Sequence, residues 1–327
     1  MATPRVLQTN RLPASATAYL RAHAEVEVNE SGDPLPPQEL RRRAAAHDGV
    51  VCLLTDRFDA QLIGALPTGF KVIANVAVGY DNIDVAAASS RGIMVTNTPG
   101  VLTETTADLA WALLMAAARR LVEADRYVRA GRFRRWELMD FLGCDVHGAT
   151  LGIIGMGRIG QAVARRARGF AMRLIYHNRR PLPAPLEQEL AASYVPLETL
   201  LGEADFISLH VPLTPQTHHL IGMPELRRMK PTACLINTAR GPVVDEAALV
   251  IALRDGCLGA AALDVYEREP ALSPGLAELP QTVLLPHLGS ASRRTRERMA
   301  RMAAENCVAA LRGERPPNLV NPEAFRG

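Results

Sequence analysis

The stretch Leu151–Gly160, LGIIGMGRIG, constrains this chain more than any other. It opens with an aliphatic run of the kind a buried parallel strand requires. Gly155, Gly157 and Gly160 then complete G-x-G-x-x-G. Beyond it, Val163, Ala167 and Phe170 recur at helical spacing, with Arg165, Arg166 and Arg168 off that stripe. Strand, glycine turn and helix in that order make a dinucleotide site the favoured reading over an ordinary Gly-rich turn. Gly155 permits the tight turn, Gly157 lets backbone approach a pyrophosphate, and Gly160 lets helix and strand pack closely. The helix start, with the backbone of Arg158 and Ile159, offers N–H groups and a positive dipole end to phosphates.

At 327 residues the chain is long for a single core, so two domains are expected. A 48% hydrophobic and 22% charged composition describes a globular protein. The longest apolar run, Leu109–Ala118, is too short to cross a bilayer, and MATPRVLQTN lacks a signal-peptide core; the chain is expected to be cytoplasmic, with no membrane partner. A net charge of +3 is near neutral for this length. Of the basic clusters, Arg41–Arg43 and Arg293–Arg301, the second is interleaved with Glu297 and followed by Glu305. Both read as solvated helix faces rather than a nucleic-acid stripe. Five scattered cysteines with no C-x-x-C point to reduced thiols, not to a disulfide framework or zinc site, and no metal cluster is expected.

Short aliphatic strands alternate with helical stretches ahead of the glycine motif. Arg5–Thr9, Val50–Leu54, Lys71–Val76 and Ile93–Thr96 read as strands, and Leu12–Ala22, Pro37–Ala46, Asp59–Leu66 and Val85–Arg91 as helices. Thr98-Pro99-Gly100 reads as a hinge. One long Ala/Leu helix is expected from Thr103, with Thr105 and Asp108 as a capping pair, Gly131 past its end and burial around much of its girth. Strands resume at Arg173–His177, Asp205–His210, Ala233–Asn237, Gly259–Leu263 and Thr282–Leu285. Helices fall near Pro196–Leu200, Met223–Met229, Glu246–Asp255 and Arg293–Leu311. The result is an α/β chain with a doubly wound parallel sheet over about Gly100 to Gly289.

In such sheets ligands bind beyond the carboxyl ends of the strands, so the residues just past each strand matter most. Val78-Gly79-Tyr80-Asp81, Thr238-Ala239-Arg240-Gly241, Asp264 through Glu269, and Pro286-His287-Leu288-Gly289-Ser290 stand there. Together with NVAVGYDNIDV, NTARGPVVDEAAL, LDVYEREP and LPHLGSAS, in that order, they give the chain its resemblance to the D-2-hydroxyacid dehydrogenase family. ETTADLAWALLMAAARR, FLGCDVHGATLGIIGMGRIGQAVARR and HNRR are most like its glyoxylate/hydroxypyruvate reductases. The resemblance runs nearly end to end. It implies two Rossmann-like domains, a discontinuous substrate domain (1–99 and 290–327) and an inserted dinucleotide domain (100–289).

By position the resemblance implies Arg240, Glu269 and His287 as catalytic residues. Arg240 would clamp the carboxylate of a 2-keto acid bidentately and polarise its carbonyl. His287 would donate the proton that quenches the alkoxide left by hydride transfer, an imidazole being suited to that near neutrality. Glu269 would orient the ring and favour the imidazolium. Backbone N–H groups at Val78 and Gly79 would take the other carboxylate oxygens, and Asp264 would contact the nicotinamide amide. Thr238, Ala239 and Gly289 complete the cofactor-lining positions. Taken singly, each of the three catalytic candidates has an ordinary reading as a surface Arg, a turn Glu or a capping His; in register they do not. His147, His177, His210, His218 and His219 are set aside as candidates.

One departure bears on the cofactor. Where an NAD-binding member carries an acid to hold the ribose hydroxyls, this chain has Asn178 followed by Arg179 and Arg180. Two cations in place of a carboxylate favour a 2′-phosphate, so NADP(H) is expected over NAD(H). A homodimer is expected as well. In similar reductases a Trp placed like Trp136 reaches the partner's substrate pocket; burial in the dimer interface is the equally weighted alternative. Among other enzymes, 3-phosphoglycerate dehydrogenase is disfavoured for want of a regulatory extension, and formate dehydrogenase because Glu269 is present. A dinucleotide-sensing corepressor-like scaffold is the competing class, because such scaffolds keep the same three residues.

Overall fold

The computed structural model describes residues 3–325, which fall into two compact units. Unit 1 joins the residues up to Leu102 to those from Ser290 onward, and unit 2 is Thr103–Gly289.

In unit 1, β1 (Arg5–Gln8), α1 (Ala14–Arg21), β2 (Glu25–Val28), α2 (Pro37–Ala44), β3 (Gly49–Cys52), α3 (Ala60–Gly64), β4 (Val72–Asn75), α4 (Val85–Ser90) and β5 (Met94–Thr96) alternate along the chain. The strands form one parallel sheet in the order β2-β1-β3-β4-β5. Inner strands are apolar on both faces because both are covered. Val6, Val51, Val72 and Ala74 pack with Leu20 of α1 and with residues 300–311. Leu7, Val50, Ile73 and Val95 pack on the other face against α2, α3 and α4.

Unit 2 begins with α5 (Thr103–Ala118) and α6 (Leu121–Arg129), then β6 (Thr150–Ile154), α7 (Arg158–Ala167), β7 (Arg173–His177), α8 (Ala184–Leu190), β8 (Ala192–Tyr194), α9 (Leu197–Glu203) and β9 (Phe206–Leu209). It continues with α10 (Met223–Leu226), β10 (Cys234–Asn237), α11 (Glu246–Arg254), β11 (Ala260–Leu263) and β12 (Thr282–Leu284). Its seven strands run parallel in the order β12-β11-β10-β9-β6-β7-β8, reversing direction of growth at β6. Alternate residues of each inner strand feed two cores: Leu151, Ile153, Phe206 and Ile236 meet α5 and α7, while Ile154, Ile207, Leu235 and Leu263 meet α9, α10 and α11. In unit 1, α12 (Arg293–Leu311) follows. It carries a Ser292 N-cap accepting from the Thr295 N–H at 3.3 Å.

The expected single helix from Thr103 is two. Arg120 takes a left-handed φ of 50°, and the Cys144 N–H takes the Ala118 carbonyl at 2.8 Å, an acceptor that a continuous helix would use itself. Burial divides with it: α5 hides eight residues and α6 none. Trp111 stacks on Phe170 at 4.8 Å and donates to the Val163 carbonyl at 3.0 Å, fixing α5 on α7; burying such a ring contributes about 1.5–3 kcal/mol. The helix already starts at Thr103, so Thr105 and Asp108 lie inside its first turns rather than ahead of it, and Asp108 pairs with Arg166 of α7 at 2.5 Å. The helix after the glycine turn begins at Arg158, and Phe170 sits in a separate 3-10 turn. Sequence reading also passes over β2, β8 and α8. The two strands are short sheet edges, one alternating Glu with Val and the other half exposed, so neither carries an apolar run.

Candidate active site

Strand register aligns the site. His177, Ile154, Leu209, Asn237, Leu263 and Leu284 are successive partners across unit 2's sheet. The next residue on each strand is therefore Asn178, Gly155, His210, Thr238, Asp264 and Leu285, one row along the carboxyl edge. At about 4.8 Å per strand the row spans about 24 Å. Topology reverses between β6 and β9, the position where a doubly wound sheet opens a crevice.

The glycine turn lies at that reversal. Gly155 has φ 99°, and a Cβ there would come within 2.6 Å of the His210 carbonyl carbon. A Cβ on Gly160 would collide with the Gly155 carbonyl oxygen, so helix and turn touch through bare backbone. Gly157 is different: a Cβ would meet nothing, and its open side is the start of α7. No side chain caps that start and no acid lies in the first turn; Arg158 is exposed there and Ile159 half-buried. Asn178 is tied to the turn, its Oδ1 accepting from the Met156 N–H at 2.7 Å. Arg179 and Arg180 follow, both exposed and neither with a carboxylate partner among the described residues.

Further along the row, Asn237 holds the β10 turn from both sides: its Oδ1 accepts from Ala239 N and its Nδ2 donates to the Arg240 carbonyl. The buried Thr238 Oγ1 has no hydrogen-bond partner among the described residues, an orphan facing this edge. Among the described residues, an uncapped glycine turn, two guanidinium groups without a carboxylate partner and an orphaned hydroxyl fit a dinucleotide bearing phosphates. Arg158, Arg179 and Arg180 supply its positive charge.

The acid–base candidates meet at the far end. His287, at φ 56°, places Nδ1 2.9 Å from Glu269 Oε2. The Tyr266 N–H donates to Glu269 Oε1 at 3.0 Å. Burial pushes the Glu269 pKa up, but the His287 bond and charge, the Tyr266 N–H and the Arg240 charge outweigh it and hold it below the ordinary value. Arg240 is half-buried and donates from Nη1 to the Ala239 carbonyl at 2.8 Å. Asp264 is spent on the turn that carries His287: Oδ1 accepts from Leu288 N at 2.6 Å and Oδ2 from Gly289 N at 2.8 Å. Burial dominates its pKa and raises it, against those bonds and the His287 charge. Thr106 Oγ1 donates to the Gly289 carbonyl at 3.0 Å, completing the turn.

Arg240, Glu269 and His287 are thus brought to one end of one unit. Val78 and Gly79 stand in unit 1, after β4, where their carbonyls accept from Asn97 and Asn75 at 2.8 and 2.9 Å. Trp136 is 75% exposed in the irregular segment between α6 and β6. Of the histidines set aside, His210 bonds Ser208 at 2.8 Å and burial takes its pKa down to about 4, while His219 pairs with Glu267 at 3.0 Å. Tyr266, which sequence reasoning passed over, holds the Glu269–His287 pair in place. Besides holding Glu269, its hydroxyl donates to the Leu285 carbonyl at 2.9 Å, linking the two loops that carry the acid and the base. Its place inside LDVYEREP, three residues before the Glu, was the available signal.

Residues 111–289 match the family described as D-isomer specific 2-hydroxyacid dehydrogenase, NAD binding domain. A glyoxylate reductase of Korarchaeum cryptofilum is 54% identical, over 99% of this chain and 97% of its own. Among solved structures, the TT0316 protein of Thermus thermophilus is 51% identical with TM-score 0.90, covering 97% of this chain and 99% of that one. An NADPH-dependent glyoxylate/hydroxypyruvate reductase of Sinorhizobium meliloti, solved with NADP and malonate, is 34% identical with TM-score 0.88, covering 100% and 99%.

Proposed function

Because the chain belongs to the D-isomer specific 2-hydroxyacid dehydrogenase family, we propose that it reduces a small 2-keto acid, glyoxylate or hydroxypyruvate, with NADPH. The observation that carries this reading is the His287–Glu269 pair at 2.9 Å, with the Arg240 charge acting on the same carboxylate. When bound, a reduced nicotinamide supplies the hydride. The rest falls to this chain. Arg240 grips the substrate carboxylate through its planar fork and draws electron density from the adjacent carbonyl. His287, held at Nδ1 by Glu269, presents Nε2 as the proton donor to the oxygen on which charge develops. Glu269 stays ionised and stabilises the imidazolium.

The NADPH preference rests on Arg179 and Arg180, exposed and without acidic partners among the described residues, beside Asn178. The Sinorhizobium relative, described as NADPH-dependent, was solved in complex with NADP and malonate. The natural assembly is a homodimer. Phe133, Trp136, Leu138, Met139 and Leu142 are each more than half exposed on one segment, an apolar surface that a second copy covers. Five free thiols suit a reducing cytoplasm. Loss of NADPH absorbance on adding glyoxylate, then a panel of larger keto acids, tests the reading. Turnover with the small acids and a preference for NADPH at matched NADH are expected. Tight cofactor binding with negligible turnover across the panel would identify a dinucleotide-sensing scaffold instead.

A further inference from the structure

All of the chemistry above uses the carboxyl edge of unit 2's sheet; the amino edge holds a cavity of about 420 Å³ that it does not use. The cavity opens where β10, β11 and β12 begin, beneath the end of α5 and residues 142–144. Two thiols share its wall. Cys234 is the first residue of β10 and 2% exposed, whereas Cys144 is only partly buried at the mouth. Both side chains line the cavity, and Cys144 Sγ lies 3.9 Å from the carbonyl oxygen of Thr232, two residues before Cys234. Neither sulfur sits on a floppy support. Gly143 presses bare backbone onto the Ala118 carbonyl, where any Cβ would collide, and the Cys144 N–H bonds that same oxygen at 2.8 Å. On the other side Gly259 lies so close to Thr232 that a Cβ would come within 2.9 Å.

We propose that Cys144 and Cys234 are an oxidisable thiol pair, in which a peroxide attacks at Cys144 and Cys234 closes a disulfide across the cavity. The Cys144 thiolate attacks one peroxide oxygen, the O–O bond breaks, and the departing hydroxide leaves as water after taking up a proton. Cys144 is then a sulfenic acid, oxidised by two electrons. The Cys234 sulfur attacks the sulfenyl sulfur, the S–O bond breaks, and the hydroxide leaves as water with the proton from Cys234. In sum, two thiols and one hydrogen peroxide give one disulfide and two waters. The division of labour follows the environment. The neighbouring Cys234 thiol lowers the Cys144 pKa, against burial and the charges of Asp205 and Asp145. Asp205 is itself held by Lys230 at 2.7 Å. The Cys144 thiol and burial both raise Cys234, which leaves it the deep, protonated partner.

Cys257 is an internal control, a partly buried thiol of the same unit that does not line the cavity. The test treats the reduced full-length protein with hydrogen peroxide, blocks remaining thiols with iodoacetamide, and maps peptides without reduction. A linked peptide joining 144 to 234, two hydrogen atoms lighter than its parts, is expected, with Cys257 recovered alkylated. Under the same treatment with dimedone, Cys234→Ser should trap the adduct at Cys144, and Cys144→Ser should give none at Cys234. The wild-type map depends on no substitution, so a misfolded variant does not spare the proposal. Recovery of both cysteines alkylated, a dimedone adduct at Cys144 of the wild type without the link, or a link between two copies of Cys144 would each overturn it.

Discussion

At the scale of single residues, geometry separates charge from shape. Arg240→Lys keeps the charge but replaces a fork with a point, losing one of two charge-assisted bonds to the keto acid. That costs about 1.5–3 kcal/mol, so kcat/KM should fall about ten- to a hundredfold; wild-type steady-state values would remove Arg240 from the carboxylate clamp. The cofactor preference is open to the same reasoning. Arg179→Ala should raise the KM for NADPH by about the same factor and leave NADH nearly unchanged. Asn178→Asp retains the oxygen that accepts from Met156 N and changes only the other atom of the group, so the glycine turn survives while a 2′-phosphate is repelled. Its NADPH:NADH ratio should drop further than that of Arg179→Ala, and equal ratios in both variants and wild type would make the loop a mere basic turn. Glu269 adds a pH signature. Its pKa is lowered in the folded protein, so its pairing stabilises the fold above the ordinary carboxylate pKa and that contribution disappears as pH falls through the lowered value. The melting-temperature gap between wild type and Glu269→Gln should therefore be widest near neutrality and close in acid. A gap that widened toward low pH would contradict the pairing. The convergence of Arg240, Glu269 and His287 was readable because each follows a strand within a distinctive run, whereas the contacts of Asn237 and Tyr266 involve backbone groups that no spacing announces.

At the scale of elements, the glycine turn shows how tightly one feature was specified in sequence. Gly160→Ala must drive a methyl group into the Gly155 carbonyl, and forced overpacking of this kind costs about 1–3 kcal/mol. A urea midpoint lowered accordingly, with the slope unchanged, is the expected result; an unchanged midpoint would mean that α7 can slide. Inner strands were legible for the reason that they are buried twice, which forces apolar runs such as Leu151–Ile154. Edge strands were not, because β2 and β8 meet a neighbour on one side only and carry polar residues. The break between α5 and α6 was hidden for another reason. Ala-Ala-Arg-Arg-Leu is good helix sequence, and a contact from Cys144, far along the chain, overrides it. Local propensity has no access to that contact.

At the scale of the whole molecule, the apolar surface of residues 133–142 ties the proposed assembly to a simple measurement. Leu138→Glu with Met139→Glu places two charges where a second copy must pack, and sedimentation velocity should shift from dimer to monomer. A dimer that persists would move the interface elsewhere. The discontinuity of unit 1 has its own outcome in the order of synthesis. Val6, Val51, Val72 and Ala74 are covered by residues 300–311, and Val95 is tied to Val320 and to Asn321 at 2.8 and 2.7 Å. During translation the five strands of unit 1 must wait, with one face only partly covered by α1, while all of Thr103–Gly289 is made, on the order of ten seconds or more. Unit 2, built from consecutive chain, can complete itself in that interval. The nascent protein thus passes through a stage in which a finished domain hangs from an open sheet, and that sheet, not the glycine-turn domain, is where a chaperone would be needed.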